Sequence, residues 1–427
     1  MTVAAGPWSS TPFRWLVSAR TIGMFGNAVA PIALAFAVLD LHGSGTDLGI
    51  VVGSRSAANV VLLLFGGVLA DRLPRQLVLV GSSVAAGLTQ AAVAAAVLTR
   101  TDSIALLAAL SAVNGAVSAF AMPAGAALLP QTVPPDQRQQ ANALARIGTN
   151  TALVLGASSG GLLVVAVGSG WGIAVDATTF LVAAVLYAGV HAAPAAVSGD
   201  TDPPADSGPP DAPGVWAELA AGWTEFSSRT WLWAVVAAFM VVNAAVTGGL
   251  GVLGPLVADA TFGRAAWGFV LAAQTLGLVL GGLIALRLRV RRLLRFGTAM
   301  VAAEALPLLA LGLHPVVPVL IGAAFLAGIA LEQFGIAWDT TLQQHIPTDR
   351  LARVYSYDML GSFLAIPAGQ VAAGPLAAAF GLRTTLVGAA AVVLAATAAA
   401  LTSTGLRRLT NTALTPAGGG AAVHQPT

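Results

Sequence analysis

The sequence predicts an all-α integral membrane protein whose twelve transmembrane helices form two pseudo-symmetric six-helix bundles. Three observations carry this expectation. Hydrophobic residues fill 57% of the 427 positions and charged residues only 9%, whereas a soluble domain carries about a quarter charged residues to wet its surface. About twelve apolar runs reach the length of about 20 residues that a bilayer core demands of a helix. Two short segments recur at an offset of about 213–215 residues, so the halves of the chain are related.

In order, the runs cover 14–39, 47–70, 77–99, 103–129, 141–167, 171–192, 231–257, 264–286, 296–313, 315–341, 354–380 and 383–403. Gly and Ala are abundant within them, as expected where helices approach closely in lipid. The ninth and tenth runs are separated only by His314 and Pro315.

The runs fall into two groups of six. Residues 1–192 form an N-terminal bundle and 231–404 a C-terminal bundle. Between them, 193–214 is rich in Pro, Asp and Ser and reads as a flexible linker. After it, Trp216, Leu219, Trp223 and Phe226 share one helical face, which predicts an interfacial helix within 193–230. Residues 405–427 read as a disordered tail.

Orientation follows from Arg, since all twenty basic residues are Arg. Placing the N-terminus inside puts Arg14, Arg72, Arg75, Arg138, Arg229, Arg350, Arg353, Arg407 and Arg408 on the cytoplasmic side. The cluster Arg287, Arg289, Arg291, Arg292 and Arg295 joins them, where it meets anionic lipid heads. Only Arg100, Arg264 and Arg383 lie outside. The positive-inside rule therefore places both termini in the cytoplasm of a bacterial cytoplasmic membrane. A pI near 9.6 accompanies a net charge of only +2 and no basic face, so no nucleic-acid partner is expected. No Cys is present, which excludes disulfides and thiolate sites. No n-region, h-region and cleavage site precede the first run, so a secreted precursor is not expected.

The repeats are Leu129-Pro-Gln-Thr-Val-Pro134 with Leu342-Gln-Gln-His-Ile-Pro347, and Gly66-Gly-Val-Leu-Ala-Asp71-Arg72 with Gly281-Gly-Leu-Ile-Ala-Leu286-Arg287. A parallel six-plus-six repeat is the plan of one large transporter fold, with its site between the halves. Gly66 to Arg75 (Gly-Gly-Val-Leu-Ala-Asp71-Arg72-Leu-Pro-Arg75) resembles the loop signature of the major facilitator superfamily. Arg20-Thr-Ile-Gly23-Met-Phe-Gly26-Asn27, the Leu-Pro-Gln-Thr-Val-Pro segment and Ala174-Val-Asp176-Ala-Thr-Thr-Phe180 are similar to its drug-, macrolide- and siderophore-efflux branch. Two features depart from that branch: Ser111 stands where many drug/proton antiporters carry an Arg four residues before Gly115, and Gly156-Ala-Ser-Ser-Gly160-Gly161 lacks the Pro of the antiporter signature.

The resemblance implies a gate in which Asp71, with Arg72 and Arg75, meets the start of the eleventh span near Arg353, with Asp358 close by. A carboxylate beside unsatisfied helix N–H groups contributes about 0.3–1 kcal/mol. Leu286 replaces Asp71 in the second half, so such a latch is one-sided. The resemblance also implies that the first, fourth, seventh and tenth spans line a central cavity. Counted inward, Asn27, Asn114, Asn243 and Glu332 fall near mid-depth on these four, and polar groups at that depth mark pathways. The bland alternative is that each Asn bonds a neighbouring helix, worth about 0.6 kcal/mol. Glu332 is the candidate for binding protons or a cationic substrate, with Gln333, Trp338 and Asp339 on the same span. Phe25, Phe36, Phe120, Phe334 and Trp338 predict a mostly apolar cavity. Glu304, on the peripheral ninth span, is expected to have a structural partner, Arg55 needs an acceptor, and Arg146 is placed to snorkel.

The reading is a proton-driven exporter of a small lipophilic or amphipathic compound, working by alternating access. Its partners are that compound, protons and membrane lipids; it needs no cofactor or metal beyond the proton gradient, and is monomeric. No Walker A sequence is present, so ATP does not drive it. Uptake of a nutrient on the same fold and lipid flipping are the alternatives. A membrane-embedded enzyme would need converging nucleophile, base or metal ligands, and none is recognisable.

Overall fold

A computed structural model of the chain describes residues 6–190 and 223–409, apart from 73, 135, 136, 225, 286, 289 and 347; along a few helical stretches, chiefly 63–72 and 348–353, it describes the backbone alone. The first bundle consists of α1 (Thr11–Asp40), α2 (Gly45–Arg72), α3 (Arg75–Thr99), α4 (Ile104–Leu128), α5 (Arg138–Val167) and α6 (Ser169–Ala188). The second consists of α7 (Thr230–Ala260), α8 (Arg264–Ala285), α9 (Leu293–Leu313), α10 (Val317–His345), α11a (Thr348–Phe363) with α11b (Ile366–Phe380), and α12 (Leu382–Thr402). Eleven of these spans are long and apolar enough to cross a membrane among the described residues, and the 28-residue α2 makes the twelfth. Helices are the natural solution in lipid, where each backbone polar group must be satisfied within its own segment.

Start and stop signals act locally. Ser10 caps α1 by accepting from the Phe13 N–H, and Ser103 caps α4 by accepting from the Leu106 N–H. At the end away from the termini, five of the six connections are tight turns with a residue of positive φ, the α9–α10 link through His314 and Pro315 being the exception. His42, Arg100, Gly168, Gly263 and Gly381 all take positive φ there. Gly168 (φ 93°) joins α5 to α6, and Gly381 (φ 85°) joins α11b to α12. These two glycines are 213 residues apart, the offset of the sequence repeat. Leu129 and Leu342 are buried equivalently, as are Val133 and Ile346.

Three details differ from expectation. The span α7 runs through a π-helical stretch, Thr247–Leu253, inside a glycine-rich segment that crosses α11b closely at Gly248 and Gly369. The eleventh span is broken at Leu364–Ala365, before Pro367, which has no N–H to continue the ladder. Residues 404–408 form a short helix with Leu406 fully buried and Gly405 packed on Trp231, so the tail is anchored at its start. Of the expected interfacial helix, Trp216 and Leu219 lie outside the described residues; Trp223 and Phe226 both rest against Tyr357 of α11a, with Phe226 buried.

The halves meet along two seams, α2 against α11b and α5 against α8. Both are tightest away from the termini. A Cβ at Gly374 would collide with the backbone of Gly45 and Thr46, and one at Gly268 would stand 2.6 Å from the Ala157 carbonyl oxygen. Without side chains at these positions the backbones approach directly.

Candidate functional site

At the tight end an ionic clamp spans the halves. Arg264, at the start of α8, donates through Nη1 to Asp40 Oδ1 at 2.7 Å and through Nε to Asp259 Oδ1 at 2.6 Å. Asp40 ends α1, so the clamp joins the N-terminal bundle to the C-terminal one. Ser169 Oγ donates to the other Asp40 oxygen at 2.9 Å. The Arg264 guanidinium also covers the buried Phe36 ring, 4.8 Å from its centroid. Phe36 is therefore a floor beneath the clamp and does not line an open cavity. Sequence reasoning counted Arg264 as an outside charge; pairing it with a carboxylate 224 positions earlier needs the tertiary structure.

Towards the end that holds the termini, the charged contact between halves is looser. Arg146 Nη2 of α5 stands 3.4 Å from Glu332 Oε1 of α10, with side-chain exposures of 73% and 21%. Arg146 lies eight residues into α5, about 12 Å along the axis. An arginine so exposed at that depth reports open space between the bundles. Arg146 therefore reaches a partner on the other half, where the sequence led us to expect snorkelling.

The four mid-depth residues do not form a ring. Asn27 Oδ1 accepts from Arg55 Nη2 at 3.3 Å, inside the first bundle. Asn114 is 2% exposed, and its Nδ2 donates to Thr89 Oγ1 at 3.2 Å, tying α4 to α3 away from the interface. Asn243 Nδ2 donates to the Ser362 carbonyl at 2.9 Å, tying α7 to α11a. Glu332 alone faces the other half. Gln333 is buried and donates to the Gly281 carbonyl at 2.6 Å. Trp338 is buried too: its Nε1 donates to Asp358 Oδ2 at 2.8 Å, and its ring stacks with Phe334, which stacks on Phe239.

Asp358 also accepts from Ser362 Oγ at 3.1 Å. The structure thus places Asp358, half-buried, on a small cavity of about 110 Å³ inside the second bundle. Asp339, on the same span as Trp338, accepts from the Tyr355 hydroxyl at 3.1 Å. The side chains of Asp71, Arg72 and Arg353 lie outside the described ones, while Arg75 opens α3. Glu304 is 2% exposed, and its Oε1 has no partner among the described residues.

One feature was not legible as a site. A cavity of about 390 Å³ lies inside the first bundle, lined by Arg20, Asn27, Arg55, Asn59, Phe180 and Tyr187 among others. Arg55 is backed by Asp176, fully buried in α6, which accepts a hydrogen bond from Gln90 of α3. Gly26 makes this possible, since a Cβ there would stand 2.5 Å from Asp176 Oδ1. The Arg20–Asn27 and Ala174–Phe180 segments, noted separately in the sequence, are thus the two walls of one buried polar cluster.

Residues 16–369 match the family model described as Major Facilitator Superfamily. The chain belongs to the Major Facilitator Superfamily. Solved structures of similar fold include a bacterial homologue of the human lysosomal transporter Spinster, inward-facing and unoccupied, at 16% identity and TM-score 0.67, covering 95% of this chain and 98% of that one. The nucleoside transporter NupG matches at 11% identity and TM-score 0.72, over 93% and 99% of the two chains. No curated protein matches the chain. As a member of the superfamily it is a multi-pass membrane transporter, and the two-bundle plan derived from the repeat is the superfamily fold.

Proposed function

We propose that this superfamily member is a secondary exporter that moves a small amphipathic compound by alternating access, driven by the proton gradient. The observation that carries the reading is the asymmetry between the two ends: Arg264 clamps the bundles at one, while Arg146 and Glu332 face each other across an opening at the other. With the Arg-rich termini in the cytoplasm of a bacterial membrane, this is an inward-open conformer. Glu332 is the coupling group of this reading. Protonation cancels its charge and releases Arg146, so proton arrival and relaxation of the near-end contact become one event. Among the other residues singled out in the sequence, Asn27 serves the substrate path and Asp71 the near-end gate.

The test is transport by the purified chain in proteoliposomes under an imposed pH gradient. Glu332→Gln is expected to abolish proton-coupled movement while leaving expression and binding intact; undiminished coupling in that variant removes Glu332 from the mechanism. Uptake of a small organic anion is the second reading, because the cavity in the first bundle is cationic. Reversing the gradient separates the two by the direction of net flux.

A further inference from the structure

We infer that the cavity inside the first bundle receives the anionic head group of the transported compound, a single carboxylate or phosphate, between Arg20 and Arg55. The inference rests on the transporter reading above and names the class of substrate.

Position comes first. Arg20 lies nine residues into α1, about 14 Å from its start, and Arg55 ten residues into α2, about 15 Å from its own start. Helix α1 starts at the termini end and α2 at the other, so Arg55 sits deeper than Arg20 as seen from the termini. Both side chains line the same cavity. Tyr187 stands beside Arg20 near the termini end, and Asn27 binds Arg55 at mid-depth. The cavity is therefore a crevice with one arginine towards its mouth and another at its floor.

Charge comes second. No acidic side chain lines the cavity among the described residues. Arg55 is balanced from behind the wall by Asp176, whose Oδ2 is already engaged by Gln90. Arg20 has no ion-pair or hydrogen-bond partner among the described residues. The crevice thus carries one excess positive charge. A charged side chain within a membrane is costly and persists where it serves a pathway. Guanidinium planes match carboxylate and phosphate oxygens in a two-pronged geometry.

Polarity comes third. The Asn27 amide spends its oxygen on Arg55, which leaves Nδ2 as a donor on a residue that lines the cavity. Met24 and Phe180 supply apolar wall. A volume of about 390 Å³ suits a head group with a short apolar body, within the roughly 300–1,000 Å³ range of small-ligand sites. A neutral or cationic compound would leave the charge on Arg20 unanswered.

The experiment uses the full chain in nanodiscs of neutral lipid and measures binding of three twelve-carbon probes: dodecanoate, dodecyl phosphate and uncharged dodecanol. Both anions are expected to bind at least tenfold more tightly than dodecanol. Arg20→Gln is expected to erase that preference while leaving dodecanol binding unchanged, and Arg20→Lys to restore part of it. Inorganic phosphate alone competing with dodecanoate marks a soluble anion as the source. Competition only from phosphatidylglycerol added to the discs marks a lipid head group. Equal binding of anion and alcohol, or an unaltered preference in Arg20→Gln, overturns the proposal even if the chain transports other compounds. Tight, Arg20-dependent binding without transport in proteoliposomes sustains the site and refutes the transporter reading instead.

Discussion

The cavity of the first bundle, about 390 Å³, is lined by Arg20, Asn27 and Arg55, whereas the larger pocket of the second, about 460 Å³ between α7, α11b and α12, is walled almost wholly by Gly, Ala, Val and Leu. Beside α11a, Phe239, Phe334 and Trp338 leave only about 110 Å³. The two bundles repeat the same six-helix plan, and Gly168 and Gly381 turn the chain at equivalent places. Their interiors have diverged. A duplicated fold needs both copies to build the seams, but only one copy has to hold polar groups apart. The other can line its space with apolar side chains, with Asp358 satisfied by Trp338 and Ser362. On the proposals above, the contrast puts the anion site in the first bundle and the proton-coupling Glu332 in the second.

The sharpest way to break this picture is at the shared seam. Gly374→Leu forces a side chain into the backbone of Gly45 and Thr46, so transport is expected to fall to background while the protein still inserts. Residual transport above one-tenth of normal shows that the far-end closure is not needed. Next comes the aromatic stack of the second bundle. Trp338→Ala removes an aromatic stack and strips Asp358 of a donor, with an expected loss of about 3 kcal/mol or more. Thermal unfolding should show it, while dodecanoate affinity stays unchanged; a parallel loss of affinity would mean that the two bundles share the site.

The clamp should give a smaller effect. Arg264→Gln removes a charge-assisted bond to Asp259 within the second bundle and the one to Asp40 that crosses the halves. With partly exposed partners the crossing bond is worth about 1 kcal/mol after screening. That corresponds to a roughly fivefold shift towards far-end-open conformers. Spin labels at Thr101→Cys and Thr261→Cys report it as a longer inter-bundle distance, and an unchanged distribution makes the clamp a bystander. Smallest is Asn114→Ala, expected to cost about 0.6 kcal/mol of stability through its lost bond to Thr89. Any selective loss of transport in that variant would return Asn114 to the substrate path.

The outcome for Asn114 and its counterparts shows what was legible. Depth was readable, because it grows linearly with residue number at about 1.5 Å per residue along a helix of known start. Direction was not. In a soluble helix a polar face marks the outside, but in lipid both the outer and the inner faces are apolar, so the sequence carries little azimuthal signal. Asn27, Asn114 and Asn243 share a depth and point to three different neighbours. The link between Arg55 and Asp176 was hidden for the same reason: the two lie 121 positions apart and meet only because Gly26 lets α6 close on α1.

The sequence by itself therefore determined the spans, the two-fold repeat and the fold class, because a bilayer imposes length and backbone satisfaction on every segment separately. The tertiary structure decided what each polar side chain is for. Whether a carboxylate clamps, couples or backs an arginine depends on which neighbour its helix turns it towards, and only packing sets that rotation.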